Sequence, residues 1–252
     1  MSMNPPPRQP FRGKGKRAWP TLLLAGLALA TSTPDLAAGP REVARGRQIV
    51  AGAELAPDLA CEKCHGVLGR GRPEEGAPRL AAQPQLYLEK QLRDFAEGTR
   101  QSAKMEPVAR ALDAAQRTAV AAYFASLHDV PYPPAPDGAP AAIQHGGVLS
   151  AIGDDARDIR PCELCHADAG VGIAPGFPYL AGQYADYTAE QLRAWREGRR
   201  RNDPLDVMAE IAKALHEDEI DALALYFARI RPPADVVSSP VPEEPIPPPP
   251  AQ

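Results

Sequence analysis

The chain contains two copies of one long pattern, and this duplication restricts its fold more than any other feature. The pentapeptide Cys-X-X-Cys-His occurs at residues 61–65 and again at 162–166, an offset of 101 residues. Further along, the segment Gln-Leu-Arg at 91–93 recurs at 191–193, an offset of 100. Because this period is far longer than the roughly 20–50 residues of solenoid repeats, the sequence predicts two copies of a whole domain.

Each Cys-X-X-Cys-His copy is the attachment signature of c-type haem. Two thiols add across the vinyl groups of one porphyrin, and the adjacent histidine lies beneath the ring and ligates the iron. The chain has only four cysteines, and all of them belong to the two copies. The sequence therefore predicts two covalently bound haem c groups. The cysteines predicted to attach them are Cys61, Cys64, Cys162 and Cys165, and the iron-ligating histidines are His65 and His166.

Three other uses of a Cys-X-X-Cys pair are less consistent with this sequence. A thioredoxin-type redox site needs a βαβ context, and no strand–helix alternation surrounds either copy. A zinc site of four cysteines would have to join pairs that lie 101 residues apart, and it would leave both histidines unexplained. A disulfide within Cys-X-X-Cys closes too small a loop to restrain the unfolded chain much.

Methionine supplies the candidate ligands for the other face of each iron. Of the four methionines, Met1 and Met3 lie in a predicted signal peptide, so Met105 and Met208 remain, at matching places in the two copies. A thioether is a soft ligand that favours reduced iron, so His/Met ligation raises the reduction potential. The alternative is that each methionine only fills space in the core. The matching positions favour ligation.

The pattern of apolar residues predicts an all-α fold. Helices are predicted over residues 41–53, 85–97 and 114–127, and no stretch shows the sustained alternation of a strand. Asp113 and Gln116 form a plausible capping arrangement at the start of the third helix. Each copy is small for a stable apolar core, and a covalent haem would add apolar surface to bury. We therefore expect two tandem helical bundles, each wrapped round one haem.

Composition divides the chain into segments. The N-terminus has a basic region, an apolar run at 22–30 and then small residues, a pattern typical of an export signal. A retained anchor is the alternative, but the run is shorter than the roughly 20 residues that span a bilayer. Proline-rich stretches indicate a semi-rigid linker and a tail that cannot bury a core. The predicted segments are the signal peptide 1–38, domain 1 at 40–129, the linker 130–140, domain 2 at 141–231 and the disordered tail 232–252.

Charge differs between the two halves. Residues 40–130 carry 13 basic and 12 acidic side chains, whereas residues 131–252 carry 10 and 19. A near-neutral half joined to an acidic half makes a dipole that can orient the protein on a charged partner. Ordinary solubilising surface charge is the alternative. Neither interpretation supports nucleic-acid binding.

The ordered motifs resemble the class I cytochromes c, and specifically the dihaem cytochrome c4 type, over about residues 40–230. They are Cys-X-X-Cys-His, Pro-X-Leu-Ala-Gly-Gln, Gln-Leu with an aromatic residue and Gly-X-Arg, and a lone methionine before Ala-X-X-Leu. The resemblance implies that the carbonyls of Pro78 and Pro178 accept the Nδ1–H of the ligating histidines. It also implies that a small residue of the first helix crosses an aromatic residue of the last. The candidates are Gly46 with Tyr123 or Phe124, and Gly147 with Tyr226 or Phe227.

Two departures from the family pattern predict that the two haem settings differ. Ala82 stands where the family has a glycine. The loop from Gly198 to Met208 is three residues longer than the loop from Gly98 to Met105. Both changes leave the predicted ligands in place, so we expect two unequal reduction potentials.

The resemblance implies a soluble periplasmic carrier that shuttles single electrons between respiratory redox partners, and not an enzyme. By the same resemblance, the partners are a donor such as the bc1 complex and a terminal oxidase, with membrane contact only through them. No nucleophile–base constellation, phosphate-binding loop or further metal cluster is visible in the sequence. Two alternatives stay open: a cytochrome subunit of a periplasmic dehydrogenase, and a dihaem peroxidase-like enzyme with one displaceable iron ligand.

Overall fold

The computed structural model describes residues 39–232, which belong to one compact unit. The predicted signal peptide and residues 233–252 of the predicted tail lie outside the described residues. Within residues 39–232 the regular elements are helical, apart from four isolated β-bridges. The α-helices are α1 (Pro40–Val50), α2 (Glu62–His65), α3 (Gln85–Glu97), α4 (Met105–Ala111), α5 (Ala114–Ala125), α6 (Pro140–Ile152), α7 (Glu163–His166), α8 (Ala185–Arg196), α9 (Val207–Ala214) and α10 (Glu217–Arg229).

The same helix order occurs in the first repeat, residues 40–129, and in the second repeat, residues 141–231. In each repeat the first helix packs against the last, α1 on α5 and α6 on α10. The long middle helix, α3 or α8, packs against the last helix and against the short helix that follows it. The predicted duplication therefore extends to tertiary structure. None of the helices described is long and apolar enough to cross a membrane.

Helix bounds agree with the sequence prediction where local signals are strong. Helix α3 has the predicted bounds, and α5 begins after Asp113, whose side chain accepts from the Gln116 backbone N–H at 2.7 Å. Helix α1 ends three residues earlier than predicted because Gly52 adopts the left-handed region, with φ of +98°. The short helices α4 and α9 were not predicted, since each is too short to show a periodic apolar stripe.

Two glycines allow the first and last helices of each repeat to cross closely. A Cβ atom on Gly46 would lie 1.9 Å from the Ala119 carbonyl oxygen and 2.8 Å from the Tyr123 Cβ, so the predicted crossing at Gly46 and Tyr123 is confirmed. In the second repeat the predicted pair of Gly147 and Tyr226 is confirmed, since a Cβ on Gly147 would lie 3.0 Å from the Tyr226 ring. The closest approach to the backbone is one position earlier, where a Cβ on Gly146 would lie 2.2 Å from the Ala222 carbonyl.

Each repeat has its own apolar core on the inner faces of these helices. The aromatic side chains of the last helices, Phe124 and Phe227, are 2% and 3% exposed and lie at the centre of the two cores. Around Phe124 are Ile49, Val50, Leu88, Leu112 and Val120, and around Phe227 are Leu149, Ile159, Leu192, Trp195, Leu215, Ile220 and Leu223.

The segment predicted as a linker lies against both repeats. The carbonyl of Val130 accepts from the Arg79 guanidinium at 2.8 Å. The ring of Tyr132 lies between two guanidinium groups, with Arg79 at 4.8 Å and Arg231 at 5.2 Å from its centroid. Arg231 also donates to the carbonyl of Pro133 at 2.6 Å. The segment is therefore held by side chains of both repeats, although the domain boundaries themselves stay a prediction.

Exchanging alanine and glycine at the matched positions 82 and 182 is expected to have opposite effects on stability. Ala82 has φ of +61°, a region that costs a residue with a Cβ about 1–2 kcal/mol. Ala82→Gly should therefore raise the free energy of unfolding. The gain is at most about 1 kcal/mol, because the greater backbone entropy that glycine loses on folding offsets part of it. Gly182→Ala should lower it, because the added Cβ would lie 2.2 Å from the Tyr132 ring. Urea unfolding measures the free energy of unfolding of both variants. A change in the same direction in both would contradict this prediction.

A buried ion pair in the second repeat predicts a specific acid sensitivity. Glu219 is 4% exposed and accepts from the Arg157 guanidinium at 2.5 and 2.9 Å. The Arg157 hydrogen bonds lower the pKa of Glu219 to about 2 from an ordinary 4.5. Because the folded-state pKa lies below the unfolded value, this stabilisation is complete above about pH 4.5 and is lost as pH falls towards 2, a difference of about 3 kcal/mol.

Comparison of the native chain with Glu219→Gln isolates this contribution. We expect the variant to be less stable at pH 7 and to lose less stability than the native chain between pH 5 and pH 3 in urea titrations. Glu210→Gln is the matched control, since Glu210 is exposed and pairs with Lys213 on the surface of α9. Parallel stability curves for the native chain and Glu219→Gln would refute the assignment.

Candidate functional site

Each Cys-X-X-Cys-His copy folds into a single helical turn. In the first repeat the His65 backbone N–H donates to the Cys61 carbonyl at 2.9 Å, and in the second His166 donates to Cys162 at the same distance. Residues three apart on a helix lie on the same face, so the two cysteines of each copy present their thiols on one side. This is the arrangement that attachment to two vinyl groups of one ring requires.

The first cysteine of each copy lies in an apolar setting. Burial raises the pKa of Cys61 and of Cys162 to about 11. Reactive cysteines of thiol–disulfide enzymes have the opposite shift, since their thiolates are stabilised by nearby positive charge or a helix N-terminus. The setting of these two thiols therefore argues against the thioredoxin-type alternative.

The two histidines are oriented by proline carbonyls. His65 Nδ1 lies 3.0 Å from the Pro78 oxygen, and His166 Nδ1 lies 2.9 Å from the Pro178 oxygen. Since a carbonyl can only accept, Nδ1 carries the proton and Nε2 keeps the lone pair that binds a metal. Burial lowers the pKa of both histidines, against the opposing effect of the hydrogen bonds to the proline carbonyls. This is the hydrogen bond that the family resemblance implied.

The loop between each histidine and its proline is fixed by the last helix. A Cβ on Gly69 would lie 2.8 Å from the Phe124 ring, and a Cβ on Gly170 would lie 2.8 Å from the Phe227 ring. The Gly69 carbonyl in turn accepts from the Leu80 N–H at 2.8 Å. The core aromatic side chain therefore supports the loop whose two ends carry the histidine and the proline.

The two methionines occupy matching places at the starts of short helices. The Met105 N–H donates to the Ser102 hydroxyl at 3.2 Å, and the Met208 N–H donates to the Asp203 carboxylate at 2.8 Å. Both side chains are partly buried, and Met208 packs against the apolar core of the second repeat. A side chain upstream thus fixes each methionine backbone. Their role as iron ligands stays a prediction.

Two buried arginines meet where the repeats contact each other. Arg100 is 6% exposed and Arg200 is 5% exposed, and their backbones form an antiparallel bridge. Each guanidinium stacks on an aromatic ring of its own repeat, Arg100 at 4.6 Å from the centroid of Phe95 and Arg200 at 3.8 Å from that of Trp195. The arrangement has approximate twofold symmetry, which follows from the duplication.

Among the described residues, the hydrogen-bond partners of these two guanidinium groups are neutral. Burial lowers the pKa of Arg200, and the charge of Arg100 beside it lowers it further. The acceptors are Gln91, Gln191 and Tyr187 for Arg100, at 2.7–2.9 Å, and Gln91, Gln191 and Asn202 for Arg200, at 2.9–3.2 Å. A carboxylate also belongs to this cluster, since Asp94 is 5% exposed and accepts from the Asn202 amide at 2.6 Å.

Sequence patterns alone did not predict a role for these arginines or for the paired glutamines Gln83 and Gln183, which lie at the same contact. The sequence nevertheless contains a pattern that could have identified them. Each belongs to a repeated motif, Gly-X-Arg or Pro-X-Leu-Ala-Gly-Gln, at an offset of 100 residues. Polar side chains that recur in both copies, outside the haem motif, are candidates for a contact between the copies.

Comparisons with known proteins agree with this geometry. A family profile described as "Cytochrome c" matches residues 49–128. The chain is similar to the structure of reduced cytochrome c4 from Pseudomonas stutzeri, with 34% identity, a TM-score of 0.65 and coverage of 77% of this chain and 100% of that one. The chain belongs to the cytochrome c family and is a dihaem cytochrome of the c4 type. It carries two covalently bound haem c groups and transfers electrons.

Two further similarities concern thiosulfate dehydrogenases. A protein named "Thiosulfate dehydrogenase electron acceptor" from Stutzerimonas stutzeri is 39% identical over 84% of this chain and 94% of its own length. A thiosulfate dehydrogenase structure from Marichromatium purpuratum is similar with 36% identity and a TM-score of 0.68, over 75% of this chain and 40% of that chain. The predicted class of electron-transfer protein is therefore confirmed, with redox proteins as its partners.

Proposed function

We propose that this chain is a periplasmic electron carrier whose two haems are attached at the two Cys-X-X-Cys-His turns and ligated by one histidine and one methionine each. The observation that carries the proposal is the pair of Nδ1 hydrogen bonds to Pro78 and Pro178, which leaves Nε2 of both histidines available to iron. The attaching residues are Cys61, Cys64, Cys162 and Cys165, and the ligands are His65 with Met105 and His166 with Met208.

Several groups of the chain suit this task. A bound haem supplies the one-electron couple of its iron. The proline carbonyls hold the imidazoles in one tautomer and orientation, so the coordination shell changes little between oxidation states. The buried guanidinium groups of Arg100 and Arg200 offer charge-assisted donors to propionates. No bond of a substrate has to be made or broken, which distinguishes this role from that of an enzyme.

Apolar side chains are exposed beside both motifs, where a redox partner would approach. Leu164 lies within the second motif and is 67% exposed, and Val67 and Leu68, two and three residues after His65, are 38% and 40% exposed. Exposed apolar side chains next to a functional site are typical of transient protein contacts. We propose that electrons enter and leave through these two surfaces.

For the partners we propose a thiosulfate-oxidising dehydrogenase as donor and a terminal oxidase as acceptor, with the bc1 complex as the alternative donor. Similarity to the electron acceptor of Stutzerimonas stutzeri over nearly its whole length favours the dehydrogenase. In this account the chain is a separate carrier that leaves its donor after reduction. A permanently bound cytochrome subunit of the dehydrogenase is the second candidate, and the match to part of the Marichromatium purpuratum chain is what favours it.

Rapid mixing discriminates between the donors. The oxidised protein is mixed either with a thiosulfate dehydrogenase and thiosulfate, or with a bc1 complex and a quinol, and haem reduction is followed by absorbance. We expect complete reduction of both haems by the dehydrogenase with many turnovers per enzyme molecule, which requires that the carrier dissociates. Reduction by the bc1 complex alone would contradict the proposed donor. Reduction of only one equivalent of this chain per dehydrogenase molecule, together with co-elution of the two proteins, would favour the bound subunit.

A further inference from the structure

The two repeats are joined by a reciprocal pair of glutamine side chains. The amide of Gln183 accepts from the Arg79 N–H at 2.9 Å and donates to the Arg79 carbonyl at 2.9 Å. The amide of Gln83 accepts from the Tyr179 N–H at 3.0 Å and donates to the Tyr179 carbonyl at 2.7 Å. All four residues are buried, with exposed fractions of 4–6%. We call this pair the glutamine clasp.

The clasp acts on the same peptide groups that orient the histidines. The N–H of Arg79 and the carbonyl of Pro78 belong to one peptide group, and that carbonyl accepts from His65 Nδ1 at 3.0 Å. A continuous hydrogen-bonded chain therefore runs from His65 through this peptide to Gln183, which is in the other repeat. In the same way, the peptide between Pro178 and Tyr179 joins His166 to Gln83.

We propose that each glutamine of the clasp tunes the haem of the opposite repeat, Gln183 acting on the haem at His65 and Gln83 on the haem at His166. A peptide whose N–H donates a hydrogen bond becomes a better acceptor at its carbonyl, by about 10–30% per bond. The stronger carbonyl acceptor makes the imidazole a better electron donor to iron. Greater donation stabilises the oxidised iron, so each clasp bond lowers the reduction potential of the haem across the interface.

The glutamines are positioning residues in this proposal, which rests on the proposed ligation by His65 and His166. Because these peptides are buried, water cannot easily replace a lost glutamine acceptor. The clasp hydrogen bonds that join the repeats are then linked, through these peptide groups and histidines, to the reduction potentials of the haems. A partner that lengthens the Gln183–Arg79 and Gln83–Tyr179 bonds would, by this proposal, shift both potentials upwards.

The test uses the exported, haem-loaded protein and two substitutions at one position. Gln183→Met keeps the side-chain volume but removes both the acceptor and the donor, whereas Gln183→Glu removes the donor to the Arg79 carbonyl but keeps a stronger acceptor for the Arg79 N–H. We expect the first to raise and the second to lower the potential of the haem at His65, each changing its reduction equilibrium constant by about two- to tenfold, where tenfold is about 59 mV. The mirror variant Gln83→Met should raise the potential of the haem at His166.

Proton NMR of the reduced protein gives a second, site-resolved readout. In Gln183→Met the Nδ1–H signal of His65 should move upfield because its hydrogen bond weakens, while the signal of His166 keeps its position. Tyr132→Phe is the matched control: it removes the hydroxyl contact with Tyr179 at the same interface and touches neither clasp peptide. It should move neither signal.

Three outcomes would overturn the proposal. One is that Gln183→Met moves the His166 signal as much as the His65 signal, or more. Another is that Gln183→Met and Gln183→Glu shift the potential of the haem at His65 in the same direction, as a loosened interface would. The third is that Tyr132→Phe reproduces the effect of Gln183→Met. Failure of the ligation itself is seen separately, as a high-spin fraction in the visible spectrum of the unsubstituted protein.

Discussion

Replacing Met105 or Met208 by alanine is expected to lower the reduction potential of one haem by on the order of a few tenths of a volt, out of the roughly 0.8 V range that axial ligands cover. The physical reason is that a thioether stabilises reduced iron and its loss leaves oxidised iron favoured. Each variant should also lose half of the near-infrared charge-transfer band that reports a bond between methionine sulfur and ferric iron. The double variant should lose all of it.

The positions of the two methionines allow their side chains to be removed without disturbing the backbone. Met105 and Met208 both lie at the start of short helices whose backbones are held by Ser102 and Asp203, so removal of the side chain should leave the fold intact. Leucine at the same positions is the control for volume, and it should lower the potential as alanine does. A potential that stays within experimental error in Met105→Ala, with a full charge-transfer band, would assign Met105 to the core only.

Replacing Gly46 or Gly146 by alanine is expected to destabilise the protein strongly. The added Cβ would lie 1.9 Å from the Ala119 carbonyl oxygen or 2.2 Å from the Ala222 carbonyl oxygen. Backbone at these distances cannot rotate away, so the two crossing helices must move apart. Overpacking costs about 1–3 kcal/mol or more, and the better helix propensity of alanine returns only about 1 kcal/mol.

Thermal and urea unfolding of the haem-loaded variants measure this cost. Gly176→Ala is a suitable control, because a Cβ at Gly176 meets no atom within 4 Å. We expect the control to unfold within a few tenths of a kcal/mol of the native chain, and Gly46→Ala to unfold at a clearly lower urea concentration. If Gly46→Ala and Gly176→Ala had equal stabilities, the close crossing of α1 and α5 would be refuted.

The sequence was most informative where chemistry or duplication left few alternatives. The motif at 61–65 and its copy at 162–166 identified the cofactor, and the family resemblance implied that the prolines 13 and 12 residues further on are the partners of the histidines. Helix α3 was predicted to the residue because its apolar stripe is long and a glycine in the left-handed region ends it. These features depend on local sequence, which is why one chain alone reveals them.

Features that depend on contacts between the repeats were not predictable in the same way. Gln83, Gln183, Arg100 and Arg200 look like ordinary polar residues of surface motifs, and only the packing of one repeat on the other buries them. The close approach of Gly146 to the Ala222 carbonyl was also not predicted, although the neighbouring contact of Gly147 with Tyr226 was.

The measurement that tests the central claim most directly is the visible and near-infrared spectrum of the exported protein, oxidised and reduced, against its peptide concentration. The account predicts two low-spin c-type haems per chain, a full charge-transfer band from two methionine–iron bonds, and no spectral change on addition of carbon monoxide or peroxide. A high-spin fraction, or half of the expected band together with binding of carbon monoxide, would contradict it. The peroxidase-like alternative would then explain the protein better than an electron carrier does.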